Sequence, residues 1–96
     1  MKSGFRNTYF NMWTVYIIKC KDNSLYTGVT KNLDGRIRAH SSNVGAKYTV
    51  GRGPFKIMHT EEFGSRSEAQ RREYVIKKLS RKDKVLLIRG QTSSEF

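Results

Sequence analysis

Residues 13–40, "WTVYIIKCKDNSLYTGVTKNLDGRIRAH", decide the fold. Thr14 to Cys20 is dense in β-branched and aromatic side chains and predicts a strand. "KDNS" follows at 21–24, where Asp and Asn tolerate turn dihedrals and bond their own backbone. "LYTGVT" at 25–30 predicts a second strand, so the two form a hairpin. Side chains alternate along a strand, which sets Val15, Ile17 and Lys19 on one face and Tyr16, Ile18 and Cys20 on the other. Both faces carry apolar groups, so this strand is expected at the centre of its sheet with cover on each side. Asn32 suits the N-cap of a helix from Leu33 to about Ser42, with Leu33, Ile37 and Val44 as its apolar stripe. Gly35 weakens that helix by about 1 kcal/mol relative to alanine. Arg36 and His40, at i and i+4, share a helix face.

Beyond this block, "NVGAKYTVGRGP" is a glycine-rich basic loop and "FKIMHTEEF" predicts a third strand. Ser65 with Glu68, and Ser80 with Asp83, have the spacing of capping boxes and predict two helix starts. Gly90 is a suitable C-terminal stop. The order is therefore β-β-α-β-α-α. Residues 1–12 read as a loosely held lead-in, 13–89 as one domain and 90–96 as a tail.

Composition narrows the function. A chain of 96 residues is one small domain that hides only about 60–65% of its unfolded surface. No apolar run approaches the roughly 18 residues of a membrane span, and none is built like a secretory signal. One cysteine, Cys20, excludes an intramolecular disulfide and a cysteine-rich zinc site; a reducing, cytoplasmic setting is the simplest reading. Nineteen Lys and Arg against eight Asp and Glu give a net charge of +11. Folding does not need that excess, and its self-repulsion opposes compactness. A polyanion is the natural partner, nucleic acid first and an anionic membrane surface second; the plainer alternative is a solubilising coat. The helix from Ser65 is charged around much of its circumference, which does not suit a membrane-surface helix.

Several side chains could carry chemistry, and each has a plainer reading. Glu73 falls at the edge of the inward arc formed by Ala69, Ile76 and Leu79, as Arg72 does on that arc. A carboxylate there is a candidate metal ligand, or a surface pair with Lys77. Arg36 could neutralise charge developing on a phosphate, with His40 transferring or positioning a proton; otherwise they form a solvated helix face. Tyr16 and Tyr26 could be ordinary strand aromatics. A phenol titrates near 10, so Tyr16 is a poor base unless a metal, Arg36 and the positive field hold its phenolate down. In the basic loop, Lys47 and Arg52 offer point charges and Tyr48 a ring to stack on a base, with Lys31 a further cation. The loop does not match the phosphate loop "GxxxxGK[ST]". His59 and Cys20 read as structural residues.

Taken together, these segments resemble the GIY-YIG nuclease superfamily. "TVY" at 14–16 stands for the first triplet and "YTG" at 26–28 for the second. "RIRAH", the basic loop and "SRSEAQRREYVIKKLSRKDK" are similar to the small single-domain bacterial members. The resemblance covers Trp13 to about Ile88. It implies an α+β fold, a three-stranded antiparallel sheet flanked by helices, and metal-dependent cleavage of phosphodiesters. By position, Tyr16 would activate the attacking water, Tyr26 would support the nucleophile or phosphate, and Gly28 would allow close approach. Arg36 would stabilise the pentavalent phosphate. His40 stands where several members have His or Tyr. Glu73 would bind one divalent cation, magnesium before manganese. Thr14 and Thr27 depart from the family triplets, and no asparagine follows Glu73.

Two functions fit. The leading one is a nuclease acting on DNA in preference to RNA, with a protein partner as an alternative means of targeting, since no second domain is read here. The other is a nucleic-acid-binding module of the same fold with weak or lost catalysis. Retention of Tyr16, Tyr26, Arg36, His40 and Glu73 favours the enzyme, because a pure binder has no need of a carboxylate that repels phosphate.

Overall fold

The computed structural model describes residues 12–41 and 51–93; Val44, Gly45, Lys47 and Tyr48 lie outside them. The elements are β1 (Trp13–Lys19), β2 (Leu25–Thr30), α1 (Leu33–Ser41), β3 (Lys56–Phe63), α2 (Arg66–Lys77) and α3 (Arg81–Ser93). Among the described residues the fold is α+β, one antiparallel sheet of order β2-β1-β3 with three helices. β1 is central, as its two apolar faces require: Thr14 to Ile18 are all buried.

The hairpin turn is made by its own polar groups. Asp22 Oδ1 accepts from the Ser24 backbone N–H at 3.1 Å and from its hydroxyl at 2.6 Å. Asn23 takes φ of 70°, a left-handed conformation that Asn tolerates better than most residues. This turn fixes the register, which pairs Tyr16 with Gly28 and Ile18 with Tyr26. Paired residues share a face, so Tyr16, Ile18, Tyr26 and Gly28 lie on one side of the sheet. Val15, Ile17, Thr27 and Val29 lie on the other, where Val15 and Ile17 join Ala69 and Ile76 of α2 in the core. Leu87 and Ile88 of α3 pack against that core.

All three helix starts are capped as their spacing predicts. Asn32 Oδ1 accepts from the Gly35 N–H at 3.1 Å, Ser65 Oγ from Glu68 at 3.3 Å and Ser80 Oγ from Asp83 at 3.1 Å. Gly35 has a use that offsets its low propensity: a Cβ there would sit 2.7 Å from Asn32 Nδ2, in the cap itself.

Two expectations are corrected. β3 begins at Lys56, not Phe55, and a bulge between Ile17 and Ile18 leaves Met58 without a cross-strand partner. Gly90 does not stop the last helix, which continues to Ser93. Gly90 is not among the described residues with positive φ, the conformation a glycine stop uses.

β3 also brings charge onto the core face. His59 pairs with Ile17 and Glu61 with Val15. His59 Nε2 bonds Glu61 Oε2 at 2.8 Å, and Arg72 donates to both Glu61 oxygens, at 2.8 and 3.0 Å. The Arg72 hydrogen bond holds the Glu61 carboxyl below its ordinary value, so its stabilising contribution is complete above about pH 4.5 and is lost as pH falls through the lower, folded-state value. Glu61→Gln should therefore cost about 1–3 kcal/mol at pH 7, the gap from wild type closing as pH is lowered below that range. Urea unfolding of both proteins across pH 3–7 measures it; a gap that does not change with pH would count against the ion pair.

Candidate active site

On the sheet face opposite α2, the α1 side chain of His40 closes over the hairpin. Tyr16 Oη and His40 Nε2 are hydrogen-bonded at 2.9 Å, and both side chains are 0% exposed. The Tyr26 ring completes the group, its centroid 6.4 Å from that of Tyr16 and 5.4 Å from that of His40. Phe55 also packs on His40, centroid to centroid 5.8 Å. Phe55 thus leads into the strand while walling the site, which its apolar character did not reveal beforehand.

Gly28 is what allows the phenol to lie there. A Cβ at this position would fall 2.4 Å from Tyr16 Oη and 2.6 Å from Cζ, distances that no side chain accommodates. The glycine of "YTG" is therefore a seat for the tyrosine of "TVY" across the hairpin.

Arg36 and His40 share the side of α1 that bears on Tyr16, yet their environments differ. Arg36 is exposed and His40 is buried. Burial pushes the Tyr16 phenol above its ordinary value, and the Arg36 hydrogen bond and charge only partly counter it; Tyr26 and Glu73 add to the rise. Arg36 alone therefore offsets burial only in part. Burial, then the Arg36 charge, lowers His40, which is neutral at pH 7. A protonated phenol on a neutral imidazole is a pair across which a proton can move without creating an isolated buried charge.

Glu73 bears on Tyr16 through charge alone. It belongs to the stripe Ala69, Glu73, Ile76, whose two apolar members are fully buried, while its own side chain is 22% exposed. Oε2 meets Lys77 Nζ at 3.0 Å, so the surface pair expected as the plain reading is present too. No group of three or more His, Cys, Asp or Glu that could hold a metal occurs among the described residues. An all-protein cage is therefore not what these residues make. One hard carboxylate suits magnesium, which keeps several waters and binds through one or two carboxylates plus substrate phosphates.

Of the expected phosphate-contacting residues, Gly28 lies at this centre, while Lys31 and Arg52 make contacts of their own. Lys31 lies over the Trp13 ring, 5.5 Å from its centroid, with Arg66 at 5.6 Å. Arg52 is paired to Asp22, and its carbonyl accepts from the Lys21 N–H at 2.7 Å, so residues 51–54 are tied to the hairpin turn. Lys47 and Tyr48 lie outside the described residues. His59 pairs with Ile17 on the other face of the sheet, and Cys20 is buried.

Comparison with known proteins gives the family. The family model of the GIY-YIG catalytic domain matches residues 12–85. The UPF0213 protein CPE1444 of Clostridium perfringens is 57% identical over 81 residues, 84% of this chain and 87% of that one. Two solution NMR structures are similar. One is of the UPF0213 protein BH0048 from Bacillus halodurans, with TM-score 0.54 and 52% identity, covering 80% of this chain and 82% of the other. The second is of EF2693 from E. faecalis, with TM-score 0.61 and 37% identity, covering 84% and 86%. With its two triplets joined across one hairpin and this degree of likeness, the chain belongs to the GIY-YIG nuclease superfamily, among its small single-domain members.

Proposed function

We propose that this protein is a divalent-metal-dependent nuclease that hydrolyses phosphodiester bonds, in DNA before RNA. The observation that carries the reading is the buried Tyr16–His40 hydrogen bond with Arg36 bearing on the same hydroxyl. A phenol whose pKa is raised cannot wait as a phenolate at neutral pH. In this scheme the Tyr16 O–H donates to His40 Nε2. As Tyr16 takes a proton from the attacking water, its own proton passes to the imidazole. Arg36, exposed and adjacent, answers the charge that builds on the phosphate. Tyr26 walls the group and orients the phenol.

Glu73 would hold the metal, and a bound magnesium or manganese ion would supply Lewis acidity toward the phosphate and the leaving oxygen. Before that, Lys77 must give up Glu73 Oε2 or share it. Such an exposed pair is worth only a few tenths of a kcal/mol, so it does not obstruct binding. The same pair is the observation that favours the second reading, a nucleic-acid-binding module in which Glu73 is merely a helix-surface residue.

Cleavage of labelled branched, nicked, single-stranded and duplex DNA, with magnesium, manganese or chelator, separates the two. Tyr16→Phe and Glu73→Gln should each lower metal-dependent cleavage about 100-fold or more. Nucleic-acid affinity should persist or rise in Glu73→Gln, since a negative charge beside the phosphate is gone. Salt-sensitive binding with no cutting of any DNA, or of a matching RNA set, would leave the binding module.

His40 must be neutral to accept the proton, and its pKa lies below the ordinary value near 6.5. Activity should therefore hold through neutrality and fall only in more acid solution. His40→Gln should be slow with that acid limb removed; an unchanged limb would assign the titration to another group. Gly28→Ala must push the phenol off His40, and should cost at least tenfold in cleavage and about 1–3 kcal/mol in stability. Wild-type activity in that variant would show that the seat is dispensable.

A further inference from the structure

The side chain that follows Glu73 points elsewhere. Successive helical residues are turned by about 100°, and Tyr74 is 64% exposed with Val75 beside it at 48%. Single exposed apolar residues are ordinary; the surroundings of this one are less so. Lys78 Nζ lies 4.8 Å from the Tyr74 ring centroid. A shallow groove of about 460 Å³ adjoins the ring, lined by Ser67, Gln70, Arg71, Tyr74 and Val75. Between residues 66 and 82, Arg66, Arg71, Lys77, Lys78, Arg81 and Lys82 are exposed, and Glu68 is the one exposed acid.

We propose that Tyr74 is a stacking platform for an unpaired base of the substrate strand, with Arg71 and Lys78 facing the adjoining phosphates. The substrate class rests on the nuclease reading; the platform itself is a binding site that can be tested without cleavage. The exposed apolar part of the patch is Tyr74 and Val75, bordered by the cations Arg71 and Lys78 and by neutral Ser67 and Gln70. That is too small and too charged for the roughly 800 Å² per partner of a stable protein interface, but it suits a polyanion carrying flat aromatic groups. An exposed ring gains by stacking on any base, regardless of sequence. In a duplex the base faces are already covered by their neighbours, so the platform distinguishes strands with unpaired nucleotides. Glu73 and Tyr74 follow one another on α2 but face different ways, so the platform would engage a part of the strand other than the phosphate at Glu73.

The test is fluorescence anisotropy in chelator, so that nothing is cut, with labelled oligothymidylate, oligouridylate and a blunt duplex of about a dozen nucleotides. Tyr74→Ala should weaken single-strand binding about tenfold while the duplex changes by less than about twofold. Tyr74→Trp should restore the affinity, and Tyr74→Leu, apolar but without a π face, should not. The salt dependence should stay the same in Tyr74→Ala and flatten in Lys78→Gln, because only the second removes a phosphate contact. Circular dichroism melting of each variant confirms the fold, which an exposed position should preserve. Equal losses on single strand and duplex, no loss on either, or rescue by leucine would each overturn the platform. A dimer in sedimentation that Tyr74→Ala dissolves would also overturn it, making a second copy the occupant of this surface. Wild-type protein that binds through Tyr74 yet never cuts would keep the platform and defeat the nuclease reading. Cutting without dependence on Tyr74 would do the reverse.

Discussion

Everything in this fold depends on β1 being covered on both faces. Five consecutive residues, Thr14 to Ile18, are buried, and a strand can manage that only at the centre of a sheet with helices on either side. The hairpin supplies one neighbour and β3 the other. α2 and α3 supply cover for Val15 and Ile17, and α1 closes over Tyr16. A chain of 96 residues has little apolar material to spare, so polar groups enter the interior with it: Tyr16, Thr27, His40 and His59. Each buried polar group needs a partner or costs free energy. The Thr27 hydroxyl and His59 Nδ1 are left without a partner among the described residues.

The site and the sheet share one register. Tyr16 faces Gly28 because the turn at Asp22 to Ser24 sets the pairing. A slip of one residue would turn Tyr16 into the apolar face and place it beside a side chain in place of a glycine. The separation between the two triplets is thus a statement about hairpin length. Its chemical consequence is that a phenol can lie flat over backbone and reach a histidine from the next helix.

That explains what was legible in the sequence. The alternation in 14–20 gave the central strand, the turn residues gave the hairpin, and Ser and Asn spacings gave three helix starts, because each is a local signal. The grouping of Tyr16, Tyr26, Arg36 and His40 was readable only through the family resemblance, since it needs α1 to fold back across the hairpin. Phe55, the Met58 bulge and the Glu61–Arg72 pair left no local trace: all three are set by how β3 and α2 meet β1. Arg72 on the inward arc was a visible oddity, and its partner was not. Gly90 was misleading because glycine permits a helix stop without compelling one. Lys31 and Arg52 were read as phosphate contacts from charge alone; their side chains lie over Trp13 and beside Asp22, partners that charge did not reveal.

The two histidines show why burial by itself does not mark a site. His59 and His40 are both almost fully buried, and both bond through Nε2. The partner of His59 is a carboxylate already held at both oxygens by Arg72. A proton passed within that network would break an ion pair inside the protein, so the network is suited to holding β3 against α2. The partner of His40 is a protonated phenol, beside an exposed guanidinium and within the field of a carboxylate that also meets solvent. In the proposed mechanism a proton crosses between phenol and imidazole with each remaining hydrogen-bonded to the other, and the phenolate side of the pair would face Arg36. On the proposed reading, what separates the two histidines is the partner's freedom to change its protonation state. Only the pair on the α1 side of β1 has that freedom.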